Sequence, residues 1–306
     1  RGSKAQRSRT ARGLVLAETE SKGRSLSQSV IYGLLLAFAF LASVLIVDEL
    51  FIALIALAAS AGAWEISTAL RHKDWHVPRV PVTVGSAAVM PLTYYGGERA
   101  QWLGVLAIVA SLMLWRGVEV LVQRGTFVRS FTEIIRDFSA AAFVVIYLPL
   151  TMSFAALLMR EPEHDGHVAG KYWVIIIVTT VILIDTSGYL FGRKIGKHPM
   201  LPKVSPKKSW EGFAVSVLFA IASCLVQTTW LLKLPWWYAF VIAGVILLSA
   251  VLGDFAESLI KRDLGVKDMS KLIPGHGGVM DRLDSMLPAC LTGYVLLVFT
   301  VRVMGF

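Results

Sequence analysis

The chain has 306 residues, of which 56% are hydrophobic and only 17% charged. An ordinary soluble domain is about half apolar and about a quarter charged, so the composition excludes a soluble globular enzyme. The net charge of +9 is also found in nucleic-acid binders, but here the basic residues are not interleaved with aromatic ones as such proteins require. We therefore expect membrane lipids around this chain and no nucleic-acid partner.

Nine apolar segments come near the length of about 20 residues that a membrane-spanning helix needs. In chain order they are 30–47, 50–66, 80–95, 100–115, 138–159, 172–192, 212–232, 236–256 and 286–304. The sequence predicts an all-α fold, a polytopic integral membrane protein of about nine transmembrane helices. Residues 1–29 are predicted to be a basic, disordered cytoplasmic N-terminus, 30–170 the N-terminal transmembrane helices, and 171–306 a C-terminal catalytic region with two cytoplasmic loops.

Lysine and arginine residues indicate the orientation, because they accumulate in the short cytoplasmic loops of membrane proteins. If the N-terminus is cytoplasmic, 25 of the 30 basic residues fall on the cytoplasmic side of this nine-helix arrangement and 5 on the other. One helix more or fewer would remove that alternation. The sequence therefore predicts a cytoplasmic N-terminus and a C-terminus on the opposite side.

Carboxylates interrupt two of the later apolar segments. Asp185 lies in VIIIVTTVILIDTSGYLFG, and Asp254 lies with Glu257 near the end of ILLSAVLGDFAESLIKR. A carboxylate at membrane depth is costly and usually faces a polar cavity, which makes it a functional candidate. In the predicted arrangement these residues lie near the cytoplasmic ends of their helices, beside the two most basic loops.

The first of these loops reads GRKIGKHPMLPKVSPKKSWEGF. Lys207, Lys208 and Glu211 lie where the next helix begins, a place that binds anions well. The spacing of the two lysines and the glutamate also fits a structural ion pair on one helical face. The sequence leaves phosphate binding and a structural role open for this group.

The second loop carries more of the chemistry. If the helix continues through Arg262, Asp254, Glu257, Ser258 and Lys261 recur at helical spacing and share one face. The stretch IPGHGGVMDRLDS follows, with Asp281 and Asp284 on one face if a helix begins there. The remaining candidates in this loop are glycines that let the backbone approach an anion closely, a histidine that serves as base, hydrogen-bond donor or loop anchor, and basic residues that neutralise phosphate: Gly275, Gly277, Gly278, His276, Arg262 and Arg282.

The acidic residues favour magnesium as the bound metal, because oxygen ligands without a histidine pair or cysteine suit Mg²⁺ better than Zn²⁺. Magnesium in such sites holds substrate phosphates and stabilises the oxygens entering and leaving phosphorus. The chain has no GxxxxGK[ST] loop and no protein-kinase motif set. A nucleotide would therefore have to bind to membrane helices and short loops.

The stretch SLIKRDLGVKDMSKLIPGHGGVMDRLD, from Ser258 to Asp284, resembles the signature of the phosphatidate cytidylyltransferases, or CDP-diacylglycerol synthases. The Ser, Lys-Arg, Lys-Asp, His-Gly-Gly and Asp-Arg-x-Asp elements stand at that family's spacings. The segment from Asp185 through GYLFGRKIGKHP to SPKKSWEG is also similar to the family. These two stretches cover roughly the C-terminal 40% of the chain.

The resemblance implies an enzyme that joins CTP and phosphatidic acid to give CDP-diacylglycerol and pyrophosphate. It also implies dependence on Mg²⁺, with Asp254 and Asp281 as the metal-site aspartates, and a homodimer. Whether a monovalent cation such as K⁺ joins magnesium is left open. Chain length and resemblance together suggest the inner membrane of a bacterium, with the active site facing the cytoplasm.

Two other functions remain as alternatives. A CTP-dependent membrane lipid kinase would need the same carboxylates, basic residues and magnesium, but it would transfer the γ-phosphoryl group and release CDP. A cation-coupled transporter would use Asp185 and Asp254 as ion ligands. Against the transporter, the charged positions gather on one side of the membrane, and no pair of broken helices recurs in two halves.

Overall fold

The structure is a computed structural model, and it describes residues 38–122, 130–162, 169–202, 205–270, 272 and 277–304. The predicted basic N-terminus, 1–29, and the first part of the apolar segment 30–47 lie outside these residues. The described residues are helical apart from short connections and two short strands, which confirms the predicted all-α class. The predicted boundary between residues 170 and 171 falls at the first turn of a long helix.

Nine helices follow one another in the described part of the chain after a helical stretch at 38–46. Their bounds are α1 Asp48–Arg71, α2 Arg79–Val122, α3 Phe131–Val145, α4 Thr151–Arg160, α5 Gly170–Ile195, α6 Trp210–Trp230, α7 Tyr238–Leu264, α8 Met280–Leu283 and α9 Met286–Phe299. A π-helical turn, Ile146–Leu150, joins α3 to α4, and a second one, Thr300–Met304, follows α9. The strands are β1 Pro199–Leu201 and β2 Ser205–Ser209.

Seven helical segments among the described residues are long and apolar enough to cross a membrane. They include every predicted segment from 50–66 onward, so the prediction of a polytopic membrane protein is confirmed. The predicted segments 80–95 and 100–115 both fall within α2, which is counted as a single segment.

Helix α2 folds back on itself at Gly97. The backbone there has φ 69° and ψ −160°, a conformation almost restricted to glycine. A Cβ atom on Gly85 would lie 2.5 Å from Ile108 Cγ1, and one on Gly104 would lie 2.7 Å from Val89 Cγ2. Residues 85 and 108 of a straight helix would be about 34 Å apart. The segments 79–96 and 98–122 are therefore two antiparallel helices, as the separation of the two predicted segments requires.

Helices α5 and α6 approach each other through glycine residues. A Cβ atom on Gly212 would lie 2.9 Å from Gly192 Cα and 2.8 Å from the carbonyl oxygen of Gly188. Small residues allow this close backbone approach, which is a common way for membrane helices to associate. The contact fixes the C-terminal end of α5 against the start of α6.

The strands β1 and β2 form an antiparallel hairpin between α5 and α6, with Pro199 opposite Ser209 and Leu201 opposite Ser205. The Ser209 side chain then caps α6 by accepting a hydrogen bond from Gly212 N, as serine does at helix starts. This hairpin places residues of the first predicted loop directly beside the helices that carry the predicted acidic residues.

Candidate active site

The last turns of α7 and the start of α8 form the first part of the site. Lys261 Nζ pairs with Glu257 on its own helix and contacts Asp281 Oδ1 at 2.9 Å. The side chains of Glu257 and Asp281 are 0% and 6% exposed. Burial of such charged groups is costly unless they are paired, so Lys261 stabilises both carboxylates at once.

The glycine-rich turn before α8 folds around the other oxygen of Asp281. Asp281 Oδ2 accepts hydrogen bonds from Gly278 N at 2.7 Å and Met269 N at 3.0 Å. Gly277 has φ +85°, and a Cβ atom on it would lie 2.7 Å from Asp281 Oδ2. The turn therefore needs glycine both for its backbone conformation and for its closeness to the carboxylate.

The β hairpin contributes Lys208 to the same region. Its ammonium group forms an ion pair with Asp254 Oδ2 and lies 4.7 Å from the ring centre of Phe255. Ser258, one turn further along α7, donates a long hydrogen bond of 3.4 Å to Asp254 Oδ1. The two predicted loops thus meet at α7, although 46 positions separate Lys208 from Asp254 in the sequence.

Asp185 and Asp284 complete a group of carboxylates that we call the acidic cluster: Asp185, Asp254, Glu257, Asp281 and Asp284. Asp185 lies close enough to Asp284, Asp254 and Lys208 to interact with their charges. Asp284 lies among the charges of Asp254 and Lys261, and its Oδ1 accepts a hydrogen bond from Ser285 N. Helices α5, α7 and α8 and the residue after α8 therefore contribute to a single polar region.

Among the described residues, the lysines that form ion pairs with the five carboxylates of the acidic cluster are Lys208 and Lys261. Such a region favours an additional cation, and carboxylate oxygens are the ligands that Mg²⁺ prefers. Within the described ranges, no three acidic, histidine or cysteine side chains lie close enough to hold one ion together. Where Mg²⁺ acts on phosphates, it commonly binds one or two carboxylates and takes its other ligands from phosphates and water.

The other predicted site residues lie in different surroundings. Glu211 accepts hydrogen bonds from Lys197 N and His198 N and contacts His198 Nδ1 at 2.6 Å, so it holds the start of the hairpin. Arg262 and Arg282 are exposed and interact with other residues. Gly275, His276 and the side chain of Lys207 lie outside the described residues.

A cavity of about 570 Å³ lies beside the hairpin and is lined in part by Ser209, which follows Lys208 in the sequence. Two basic side chains and one tyrosine are among its lining residues, which are Tyr189, Gly192, Arg193, Gly196, Lys197, Pro199 and Ser209. The cavity is large enough for part of a nucleotide, and its basic residues suit a phosphate chain.

Comparison with known families gives a match over almost the whole chain. The model of the cytidylyltransferase family matches residues 27–300. The chain belongs to the cytidylyltransferase family. The resemblance seen in its signature stretch is thereby confirmed, and the family extends over the N-terminal helices as well.

Three bacterial relatives of this cytidylyltransferase each bear the name phosphatidate cytidylyltransferase. The protein of Mycobacterium bovis is 34% identical over 299 residues, which cover 95% of this chain and 94% of the relative. The protein of Mycobacterium leprae is 33% identical, over 91% of this chain and 89% of the relative. The protein of Aquifex aeolicus is 27% identical, over 92% of this chain and 94% of the relative.

Two residues of this cytidylyltransferase reach the site without having been selected from the sequence. Glu65 of α1 is 3% exposed and accepts hydrogen bonds from the segment that precedes Asp281. The Tyr147 hydroxyl, in the π-helical turn, is buried near the charges of Glu257 and Asp284 and has no hydrogen-bond partner among the described residues. A glutamate within an apolar segment is a candidate functional residue because its charge is costly there. The argument that selected Asp185 therefore applies equally to Glu65. A tyrosine gives no comparable signal.

Proposed function

We propose that this cytidylyltransferase transfers the cytidylyl group of CTP to phosphatidic acid, giving CDP-diacylglycerol and pyrophosphate for phospholipid synthesis. The observation that carries the proposal is the pair of neighbouring ion pairs, Lys208 with Asp254 and Lys261 with Asp281, at the polar ends of membrane helices. The names of the bacterial relatives support the same reaction. A lipid phosphate can reach such a site from the membrane, and a nucleotide can reach it from the water.

In the proposed reaction, an oxygen of the phosphatidate phosphate forms a bond to the α-phosphorus of CTP. The bond from the α-phosphorus to the bridging oxygen breaks, and pyrophosphate leaves with that oxygen. The attacking oxygen already carries negative charge at neutral pH, so no strong general base is required. Lys208 and Lys261 supply positive charge near the phosphates, which matters because charge stabilisation is the main requirement of phosphoryl transfer.

We propose Asp254 and Asp281 as the residues that hold Mg²⁺. Each already lies beside an ammonium group, which indicates that the surroundings of both carboxylates favour positive charge. If Mg²⁺ displaced Lys261 from Asp281, the lysine would keep Glu257 as a partner. When bound, the metal would screen the triphosphate and stabilise the developing charge on the leaving pyrophosphate. A monovalent cation such as K⁺ beside magnesium stays a proposal.

We propose supporting roles for the remaining candidates. Asp284 and Asp185 add negative charge around the metal, and Ser258 orients Asp254 through its hydrogen bond. The backbone of Gly277 and Gly278 lies against Asp281, which suits a turn that approaches phosphate. Glu211 acts by holding the start of the hairpin. Phosphate contacts are proposed for the basic residues and for the segment before the turn: Lys207, Arg262, Arg282, Gly275 and His276.

We propose nine transmembrane helices with a cytoplasmic N-terminus. The two antiparallel parts of α2 count separately, and the apolar segment 30–47 supplies the first helix. The basic loops then lie on the side of the acidic cluster, which is the cytoplasmic side. The inner membrane of a bacterium agrees with the sources of the relatives. A homodimer remains a proposal that mass measurement of the protein in detergent would test.

The reaction is tested with purified protein in detergent, phosphatidic acid and Mg²⁺, and with CTP labelled at either the α- or the γ-phosphate. The proposal expects α-label in the lipid and γ-label in released pyrophosphate. Entry of γ-label into the lipid would instead identify a CTP-dependent lipid kinase. If neither label enters the lipid while the protein is folded, the catalytic proposal is wrong, and cation transport in vesicles is the next measurement.

A further inference from the structure

Glu65 is a buried carboxylate that α1 contributes next to the acidic cluster. It lies in α1, more than 200 positions before the turn that it contacts, and its residue is 3% exposed. In the described part of the chain, its partners are one serine hydroxyl and two backbone N–H groups, and none of them is a lysine or arginine side chain. A buried carboxylate of this kind is costly unless both oxygens are satisfied, so the number and position of its donors matter.

Both oxygens of Glu65 accept hydrogen bonds from a single segment. Oε1 accepts from Ser270 Oγ at 2.5 Å and from Val279 N at 3.0 Å, and Oε2 accepts from Met280 N at 2.8 Å. Hydrogen bonds from backbone N–H groups to a charged oxygen are about twice as strong as those between neutral groups. Glu65 therefore connects both ends of the segment 270–280 to α1.

The turn lies between two carboxylates. The N–H group of Gly278 donates to Asp281, whereas the next two N–H groups, of Val279 and Met280, donate to Glu65. A Cβ atom on Gly278 would lie 2.5 Å from Glu65 Oε2, so a side chain at this position would collide with the glutamate and the turn needs glycine there. Asp281 follows directly after Met280, and its position therefore depends on that of Glu65.

We infer that Glu65 is a positioning residue for the cytidylyl transfer reaction: it fixes the turn 277–281 so that Asp281 faces Lys261 and the rest of the acidic cluster. This inference rests on the proposed function, because it assigns Glu65 an effect on that reaction. Glu65 acts through Asp281 and the backbone, and it does not itself contact the reacting phosphates. We expect loss of its carboxylate to alter the position of Asp281 more than the packing of the helices.

The test compares Glu65→Gln with Glu49→Gln, a matched change at an exposed glutamate in the first turn of the same helix. Glutamine keeps the size of the side chain but has one oxygen in place of two, and its amide group would face an N–H donor. We expect Glu65→Gln to lower kcat by about 10- to 100-fold, as loss of a group that orients a ligand typically does. The Mg²⁺ concentration for half-maximal activity should rise, and Glu49→Gln should leave both quantities unchanged.

Hydrogen exchange provides a readout that does not depend on activity. We expect faster amide exchange in peptides that contain Val279 and Met280 in Glu65→Gln, with unchanged exchange in peptides from α6. Unchanged kcat and unchanged Mg²⁺ dependence in Glu65→Gln would overturn the inference. If the wild-type protein transferred no label to lipid, the proposed function would be wrong, whereas faster exchange would still show that Glu65 holds the turn.

Glu65→Gln could also unfold the whole protein, and a milder variant addresses that outcome. Ser270→Ala removes one of the three hydrogen bonds to Glu65 and leaves the carboxylate in place. We expect it to lower kcat about threefold, the effect of one modest hydrogen bond, and to increase exchange in the same peptides. If Glu65→Gln unfolds while Ser270→Ala behaves as wild type in both measurements, the inference is wrong.

Discussion

The partners of each carboxylate in the acidic cluster differ, and they determine what a substitution there will change. Asp281 receives one ammonium group and two backbone N–H groups, whereas Asp254 receives one ammonium group and a long hydrogen bond from Ser258. Removing the charge of Asp281 therefore affects a turn and an ion pair together. Removing the partner of Asp254 leaves a half-buried carboxylate without its cation.

Asp281→Asn tests the role of the buried aspartate. The asparagine cannot balance the charge of Lys261, and its amide group would face either that ammonium group or the N–H donors of the turn. We expect kcat for transfer of α-label from CTP to lipid to fall on the order of 100-fold, or about 2.7 kcal/mol.

The control for this substitution is Asp263→Asn, an exposed position near the end of α7. It should keep activity within about twofold, because surface substitutions usually have small effects. Equal activity of the two variants would contradict a metal or charge role for Asp281.

Lys208→Met tests the ion pair between the hairpin and α7. The methionine keeps much of the apolar side chain over Phe255 but leaves Asp254 without its lysine. We expect kcat/KM for CTP to fall about tenfold, since the side chains are 28% and 22% exposed and such pairs are partly screened by solvent. Steady-state assays at several CTP concentrations measure this, with the exposed Lys73→Met as control. A loss equal to that of the control would mean that Lys208 does not act on the substrates.

Glycine residues determine how the helices approach one another at the level of secondary structure elements. Where α5 meets α6, backbone atoms of Gly188 and Gly192 lie so close to Gly212 that no side chain fits. By contrast, Gly244 in α7 has open space around its Cβ position. Gly212 is therefore required for helix packing whereas Gly244 is not, and the composition of the chain cannot show this difference.

Gly212→Ala and Gly244→Ala form a matched pair of variants. The methyl group at Gly212 would contact backbone atoms at under 3 Å, which cannot move without separating the helices, so we expect a loss of about 1–3 kcal/mol of stability. At Gly244 the better helix propensity of alanine should be neutral or add up to about 1 kcal/mol. Thermal unfolding in detergent compares the two, and a similar Tm for both variants would contradict the close packing of α5 and α6.

The whole molecule joins its N-terminal and C-terminal helices at the site. The contacts of Glu65 connect α1 to the turn before α8, and Lys208 connects the hairpin to α7. The catalytic region predicted at 171–306 is therefore completed by a residue from the predicted region 30–170. The polar ends that meet there belong to helices whose loops carry many of the basic residues, which is why we propose that this side faces the cytoplasm.

Cysteine labelling tests the proposed orientation. The native cysteines, Cys224 and Cys290, are buried, so single cysteines at exposed loop positions can be followed with a membrane-impermeant maleimide. In right-side-out vesicles we expect labelling of Lys233→Cys, between α6 and α7, and protection of Lys197→Cys, between α5 and β1. Vesicles broken open should label both positions. Labelling of Lys197→Cys alone in sealed vesicles would reverse the proposed orientation.

The sequence by itself determined the class of fold and most of the site's residue types. Apolar segments of membrane length predict helices because every backbone polar group must be satisfied within the membrane, and α2 even shows its two predicted parts separated at Gly97. Asp185 and Asp254 were recognisable because charge is costly in apolar surroundings, and Asp281 was recognisable because it stands in the glycine-rich signature stretch. The signature stretch was enough to indicate the family, which the match over residues 27–300 confirms.

Only the tertiary structure decided which residues act on one another. Spacing along a helix predicts neighbours three or four positions apart, such as Asp254 and Ser258, but it carries no information on contacts between distant segments. Glu65 and the turn at Val279, or Lys208 and Asp254, come together only through the packing of separate helices. The same packing shows that Glu211 contacts His198 rather than the acidic cluster. Contacts between distant segments depend on the shapes of several helices at once, and for that reason the sequence supplied the chemical groups while the fold determined their partners.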